Sequence, residues 1–181
     1  MLAELDIVIY LKWDEDLTRT AERVFNALGS PFEPASSEEW GGDHYTASGL
    51  GFQAYLFANT GDMLDVDFEH YQYGLEILSR YWCVDLQGED LEGPLSEYYA
   101  REIAFELNTE TATEILVETT EEAEIYDVQA FRRNPQYRLD QSPTTPKVFV
   151  VETRQIERLY EDEEWEDEDI EEDGETAEDG E

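Results

Sequence analysis

Negative charge constrains this chain more than any other feature of its sequence. The 181 residues include 47 Asp and Glu but only 11 Lys and Arg, which gives a formal net charge of −36. Such a chain repels itself when it is compact, so folding requires a core that offsets the repulsion. Hydrophobic residues make up 40% of the sequence, with 8 Phe, 11 Tyr and 4 Trp, and this content predicts a packed core.

The acidic residues are concentrated at the C-terminus but are not confined to it. Residues 161–181 contain 15 Asp and Glu among 21 residues and no Lys or Arg. Because like charges repel and few apolar residues interrupt them, we expect 161–181 to be a disordered acidic tail. Residues 1–160 keep 32 acids and 11 bases, a net charge of −21, and are expected to form a single α+β domain.

Apolar spacing predicts a strand, a helix and, later, a second helix. Residues 5–13 (LDIVIYLKW) are apolar and β-branched, which is typical of a strand buried on both faces. A helix should follow, with Asp14 or Asp16 as its cap and Gly29 just after its end. Its apolar stripe comprises Leu17, Ala21, Val24, Phe25 and Leu28. A second helix is predicted from Leu95 to Leu107, with Pro94 at its first position.

The remaining pattern predicts further strands separated by turns. Residues 30–42 read as a loop, 119–121 as a hairpin turn, and 132–146, with three prolines, as a loop or edge crossing. Strands are predicted at 43–58, 63–69, 71–79, 113–118, 122–128 and 147–151. The order predicts an α+β fold in which two main helices cover one face of an antiparallel or mixed sheet. A ferredoxin-like arrangement is the nearest common topology.

The sequence offers no recognisable catalytic machinery. Cys83 is the only cysteine and lies in the strand-like run YWCVDL, where an inert buried thiol is expected. His44 and His70 are the only histidines, and no phosphate-binding loop or nucleophile elbow occurs. We therefore predict no catalytic residue, no cofactor and no metal site, and a protein that is not an enzyme. The N-terminus lacks the features of a signal peptide, and a cytoplasmic location is expected.

Three carboxylates alternate with apolar residues within 63–69. Asp65, Asp67 and Glu69 would then line one face of a strand about 6.5–7 Å apart, too far apart for one ion to collect all three. That spacing approximates the distance between successive phosphates of a nucleic acid, so the ladder can mimic DNA or RNA toward a basic site. The alternative is that these residues simply form the solvated face of an antiparallel strand.

Five stretches of the chain resemble the small acidic immunity proteins of bacterial toxin systems. They lie within about residues 5–118 and read LDIVIYL, DLTRTAERVFNALGSPFE, GLGFQAYLFAN, YQYGLEILSRYW and LSEYYAREIAFELNTETATEILVE. The resemblance implies a stoichiometric inhibitor that covers the active site of a toxin. It assigns no functional residue and does not extend to the proline-rich segment or to residues 160–181.

Three hypotheses about function remain open at this point. In the first, the protein inhibits a basic nuclease or another nucleic-acid-binding protein through Asp65, Asp67, Glu69 and the acidic tail, with Trp165 as an aromatic anchor. Direct binding to nucleic acid or to a membrane is not expected, because both require positive charge. In the second, the protein is an adaptor whose charge serves solubility. In the third, it is an unrecognised enzyme or divalent-metal protein.

Overall fold

The computed structural model describes residues 2–49, 52–61, 64–82, 92–120, 122–138 and 145–160. Cys83, Trp165 and the tail 161–181 lie outside the described residues, as do residues 139–144 of the proline-rich segment. Two α-helices are described, α1 (Leu17–Ala27) and α2 (Glu92–Leu107). The strands are β1 (Leu2–Lys12), β2 (Phe32–Ser37), β3 (Gly42–Gly49), β4 (Phe52–Ala58), β5 (Tyr73–Trp82), β6 (Glu110–Thr119), β7 (Ala123–Arg133) and β8 (Val148–Leu159).

All of the described strands belong to one sheet, which confirms the α+β class. The sheet has eight strands in the order β2-β3-β4-β5-β1-β6-β7-β8. Every neighbouring pair is antiparallel, so the antiparallel alternative is the correct one. The sheet is larger than that of a ferredoxin-like fold, because four strands, β2 to β5, lie between the two helices in sequence.

The central strand β1 is present as predicted, but only one of its faces is completely buried; on the other face Tyr10 is buried and Asp6 is exposed. Ile7, Ile9 and Leu11 are completely buried and belong to a large apolar cluster. Residues of both helices complete that cluster, including Ala21, Val24 and Phe25 of α1 and Ala100, Ile103 and Ala104 of α2. Tyr10 belongs to a second, smaller cluster with Phe68, Tyr71, Ala112, Val128 and Ala130. Because side chains alternate along a strand, the two clusters flank opposite faces of β1.

Both predicted helices are present. At α1, the carboxylate of Asp16, not that of Asp14, accepts a hydrogen bond from the amide of Arg19 at 2.9 Å. This bond satisfies one of the amides that a helix N-terminus leaves unpaired. Gly29 follows the helix with φ of 67°, a conformation that favours glycine. The second helix begins earlier than predicted, at Glu92, so Pro94 lies inside its first turn.

The strand predicted at 63–69 is wrong. Residues Val66–Phe68 form a short 3₁₀ turn, here called the Phe68 turn. The buried side chain of Asn59 holds it by donating to the carbonyls of Phe68 and Tyr71 at 2.9 and 3.0 Å and accepting from the amide of Asp65 at 2.9 Å. These bonds replace the ladder that a strand would need. Alternation over so short a segment therefore does not distinguish a strand from a folded loop.

The loop predicted at 30–42 is also wrong, because it contains the edge strand β2. Strand β2 is hydrogen-bonded to β3 alone, in a register that runs from Phe32↔Ala47 to Ser37↔Gly42. Pro34 is compatible with this position, since an edge strand does not need an amide donor on its outer side. A second 3₁₀ turn, Glu38–Trp40, follows and is here called the Trp40 turn.

Strands β1 and β6 are paired with each other over only part of their length. Among the described residues the ladder between these strands runs only from Ile9↔Thr113 to Lys12↔Glu110. In contrast, β1 continues along β5 to Leu2↔Trp82, and β6 continues along β7 to Thr119↔Glu124. Where the ladder stops, the hydroxyl of Thr113 donates to the carbonyl of Val8 at 2.8 Å. We call the divergent segments, 2–8 of β1 and 114–119 of β6, the sheet opening.

Candidate partner-binding face

The face of the sheet that carries Tyr10, here called the Tyr10 face, is covered in part by the two 3₁₀ turns. Each turn lays one aromatic ring flat on a tyrosine of the sheet. Phe68 stacks on Tyr10 with ring centroids 3.8 Å apart and planes 8° apart. Trp40 stacks on Tyr55 with centroids 4.5 Å apart and planes 10° apart. These stacks hold both turns against the sheet.

The structure does not assemble Asp65, Asp67 and Glu69 into a ladder. The carboxylate of Asp65 accepts a hydrogen bond from the Tyr10 hydroxyl at 2.7 Å and one from Arg158 at 3.2 Å. Arg154 lies 3.8 Å from the carboxylate of Asp67 and also donates to its main-chain carbonyl. Two of the three predicted acids are thus engaged by arginines of β8. Glu69, whose side chain is 63% exposed, points to solvent beside His70.

Arg158 connects three elements on this face. Its guanidinium contacts both carboxylate oxygens of Glu114 on β6, at 2.9 and 2.8 Å, and reaches Asp65 in the adjoining loop. Burial raises the pKa of Glu114 even though Arg158 acts in the opposite direction. Burial and the neighbouring Asp65 also raise the pKa of Tyr10 well above its usual range. The arrangement keeps Tyr10 protonated as a donor to Asp65 and gives this cluster a structural role.

A second carboxylate, Glu110 at the start of β6, also collects basic side chains. Lys12 lies 3.5 Å from it, Arg132 forms an ion pair with it, and the Tyr71 hydroxyl donates to it at 3.4 Å. Burial acts to raise the pKa of Glu110, but Arg132 and Lys12 hold this pKa below its usual range.

Internal ion pairs of this kind engage most of the described basic side chains. Those with a described carboxylate partner are Lys12, Arg19, Arg23, Arg101, Arg132, Lys147, Arg154 and Arg158. Most of the described cations are therefore directed toward acids of the same chain.

Asp6 and Glu76 form an acidic pair that the sequence analysis missed. Glu76 lies opposite Val8 of β1 and Tyr55 of β4, and Asp6 lies opposite Leu78, so the two acids are diagonal neighbours. Burial, followed by the proximity of Asp6 and by Glu39 of the Trp40 turn, raises the pKa of Glu76 to about 7. Partial desolvation also raises the pKa of Asp6, although the residue as a whole is exposed. The available signal was a single carboxylate inside each of two apolar strands, LDIVIYL and YGLEIL.

Other polar features of the described residues are a buried histidine and a cavity beside the Phe68 turn. His44, which is 4% exposed, lies near the start of β3, and its Nδ1 is 3.1 Å from the carbonyl oxygen of Gly42. A cavity of 270 Å³ lies beside the Phe68 turn and includes His70 and Arg154 in its lining. Among the described side chains, no group of three or more His, Cys, Asp or Glu is arranged to hold a metal ion. The described helices include none with the length and apolar character needed to cross a membrane.

Comparison of the chain with protein-family models, with curated proteins and with solved structures found no match. The functional argument therefore depends on the charge, burial and pairing of the residues described above.

Proposed function

We propose that this protein binds a basic, nucleic-acid-binding protein, such as a nuclease, and masks its cationic surface as an immunity-type inhibitor. In this proposal the protein acts in the cytoplasm without catalysing a reaction, and it binds neither nucleic acid nor membrane directly. The observation that carries the proposal is the charge arrangement. The described bases are largely paired internally, whereas residues 1–160 retain a net charge of −21.

The physical argument is one of complementarity. Sites that receive DNA or RNA are built from Lys and Arg because phosphates must be neutralised. A folded surface with excess carboxylates competes for the same residues, and its field accelerates the encounter. Pairing of the cations with acids of the same chain supports this role, because a neighbouring carboxylate reduces the repulsion between a Lys or Arg and a basic partner.

We further infer that both helices cover the same face of the sheet, as they share one apolar cluster with Ile7, Ile9 and Leu11. The Tyr10 face then remains available for the partner, apart from the two turns. On that face, Glu69 is the predicted contact residue that remains free to meet a cation. Asp65 and Asp67 could contribute only after exchanging their arginines. Contact through Trp165 remains a prediction about the tail.

Salt dependence tests the proposal most directly. Antitoxins are usually encoded beside their toxins, so a basic nuclease encoded by a neighbouring gene would be the natural probe. We expect one equivalent of the protein to inhibit that nuclease. We also expect the dissociation constant measured by calorimetry to rise at least about 100-fold between about 50 and 500 mM NaCl. An affinity that is indifferent to salt, or a complex that leaves nuclease activity intact, would contradict the proposal.

A further inference from the structure

Among the described residues, the sheet opening leaves main-chain groups of β6 without a neighbouring strand on one side. From residue 114 to residue 119, β6 is paired with β7 on one side and with no described strand on the other. Amide and carbonyl groups on a strand edge are hydrogen-bonding groups that a further strand can satisfy. The end of the ladder is well defined, because the hydroxyl of Thr113 donates a hydrogen bond to the carbonyl of Val8.

Apolar side chains accompany this free edge. Leu116 is 40% exposed and Val117 is 54% exposed, although both lie within a strand of a large sheet. The register between β6 and β7 shifts between Leu116 and Glu118, which leaves Val117 as a bulge residue. Bulges redirect side chains and occur often beside functional sites. An extended segment added at this edge would cover Leu116 and Val117 as well as the main chain.

The acidic residues of the sheet opening indicate what kind of segment could bind there. Glu118 is exposed on the edge itself, and Asp6 is exposed on the β1 side of the sheet opening. The tail of this chain is a poor occupant, because its 15 acids within 161–181 are accompanied by no base. A second copy is also disfavoured, since each chain carries −36. A basic extended segment has the complementary charge.

We propose that β6 residues 114–119 accept an extended, Arg- or Lys-rich segment of the partner as an added strand. The inference rests on the proposed function and makes it more specific. Main-chain hydrogen bonds provide the affinity, and Glu118 provides the preference for cations. The partner then contributes a strand as well as a basic surface.

A peptide pair tests strand addition separately from charge. The probe is an acetylated and amidated octapeptide in which Arg alternates with Val. The control carries N-methyl groups on alternate residues, which remove donors but keep the charge. With the full-length protein we expect the control to bind at least about tenfold more weakly, because backbone pairing carries the affinity. Amide hydrogen exchange should slow within 114–119 when the unmethylated probe binds, but not within the β2–β3 hairpin.

A charge reversal on the protein provides a second readout. Glu118→Lys should weaken binding of the unmethylated peptide by about fivefold, whereas Glu33→Lys, the same change on the exposed edge strand β2, should weaken it less than about twofold. Equal affinities for the two peptides would overturn strand addition while leaving the proposed function intact. Absence of binding, or of protection at 114–119, would also overturn it. The salt titration with the nuclease decides the proposed function independently.

Discussion

Asp6 and Glu76 show how single carboxylates behave when a very acidic chain places them inside a sheet. Each lies on a strand otherwise dominated by apolar residues, and they are diagonal neighbours on β1 and β5. Burial and mutual repulsion both disfavour the charged form, so the pKa of Glu76 rises to about 7. At this position the fold favours a protonated acid near neutral pH.

This shift makes stability depend on pH in a direction that can be worked out. The folded protein holds a proton on Glu76 that the unfolded chain releases at its ordinary pKa of 4.5. The free energy of unfolding should therefore fall as the pH rises from about 4.5 to about 7. Glu76→Gln should stabilise the protein by about 1 kcal/mol at pH 8, after allowance for solvent screening, and by much less at pH 5. Urea denaturation at the two pH values measures this difference.

Glu33→Gln is the matched control, since Glu33 is exposed on β2 and its replacement removes the same charge. General relief of repulsion would stabilise both variants equally at pH 8. A gain for Glu76→Gln no larger than that for Glu33→Gln would mean that the environment of Glu76 is not responsible.

At the level of elements, the C-terminal strand and the Phe68 turn hold each other in place. Strand β8 supplies Arg154 and Arg158, whose guanidinium groups reach Asp67 and Asp65. Arg154 also lies 5.6 Å from the ring centre of Phe68, and Phe68 stacks on Tyr10. The outermost described strand is thereby connected across the Tyr10 face to the central strand.

Replacing Arg158 should measure how much its ion pairs with Glu114 and Asp65 contribute to stability. The side chains of Glu114 and Asp65 are only 18% and 22% exposed, so Arg158→Met removes the cation from two poorly solvated carboxylates. We expect the free energy of unfolding at pH 7 to fall by about 2 kcal/mol. Chemical denaturation followed by tryptophan fluorescence would measure it.

Arg19→Met is the control for that experiment, because the pair formed by Arg19 and Glu22 is 67% and 47% exposed. Such a pair contributes less than about 0.5 kcal/mol. Similar losses in the two variants would show that the cluster around Arg158 does not join β8 to the turn.

Elements with a complete periodic pattern could be predicted from the sequence, whereas elements held by long-range contacts could not. Strand β1 and helix α1 contain enough apolar residues at one spacing to identify them, although the choice between Asp14 and Asp16 as the cap required the backbone geometry. The segment 63–69, which contains the Phe68 turn, resembles a strand in sequence because apolar and acidic residues alternate along it. Its actual conformation depends on Asn59, and no local pattern indicates that contact.

The candidate site was harder to predict for a similar reason. The sequence gives the sign of the charge but not which acids remain free. Asp65 and Asp67 are engaged by Arg154 and Arg158, which lie about 90 residues further along the chain. The sheet opening is likewise a property of the pairing between β1 and β6 and leaves no trace in either strand alone.

At the scale of the whole molecule, acidity belongs to both parts of the chain. The tail contributes 15 carboxylates, but residues 1–160 keep a net charge of −21. The proposed inhibitor therefore does not depend on residues 161–181 for the sign of its field. Residues 161–181 should change the strength of this field but not its sign.

Deleting residues 161–181 measures that contribution. We expect the truncated protein still to bind and inhibit the nuclease, with a shallower dependence of log K on log salt concentration because fewer ions are released. Calorimetry at several salt concentrations gives both slopes. An unchanged affinity and slope would favour the adaptor in which the tail serves only solubility, and complete loss of binding would place the site in the tail.

The two outer strands of the sheet differ in how well they resist unwanted pairing. Strand β2 is six residues long and contains Pro34, whereas β8 is twelve residues long and exposes Phe149, Val150 and Val151 in succession. Such an edge invites self-association, and proteins often guard it with proline or lysine. In this protein, electrostatic repulsion between copies opposes such self-association. Near the isoelectric point expected from the composition, about pH 4.1, we expect that repulsion to vanish and aggregation to begin at β8.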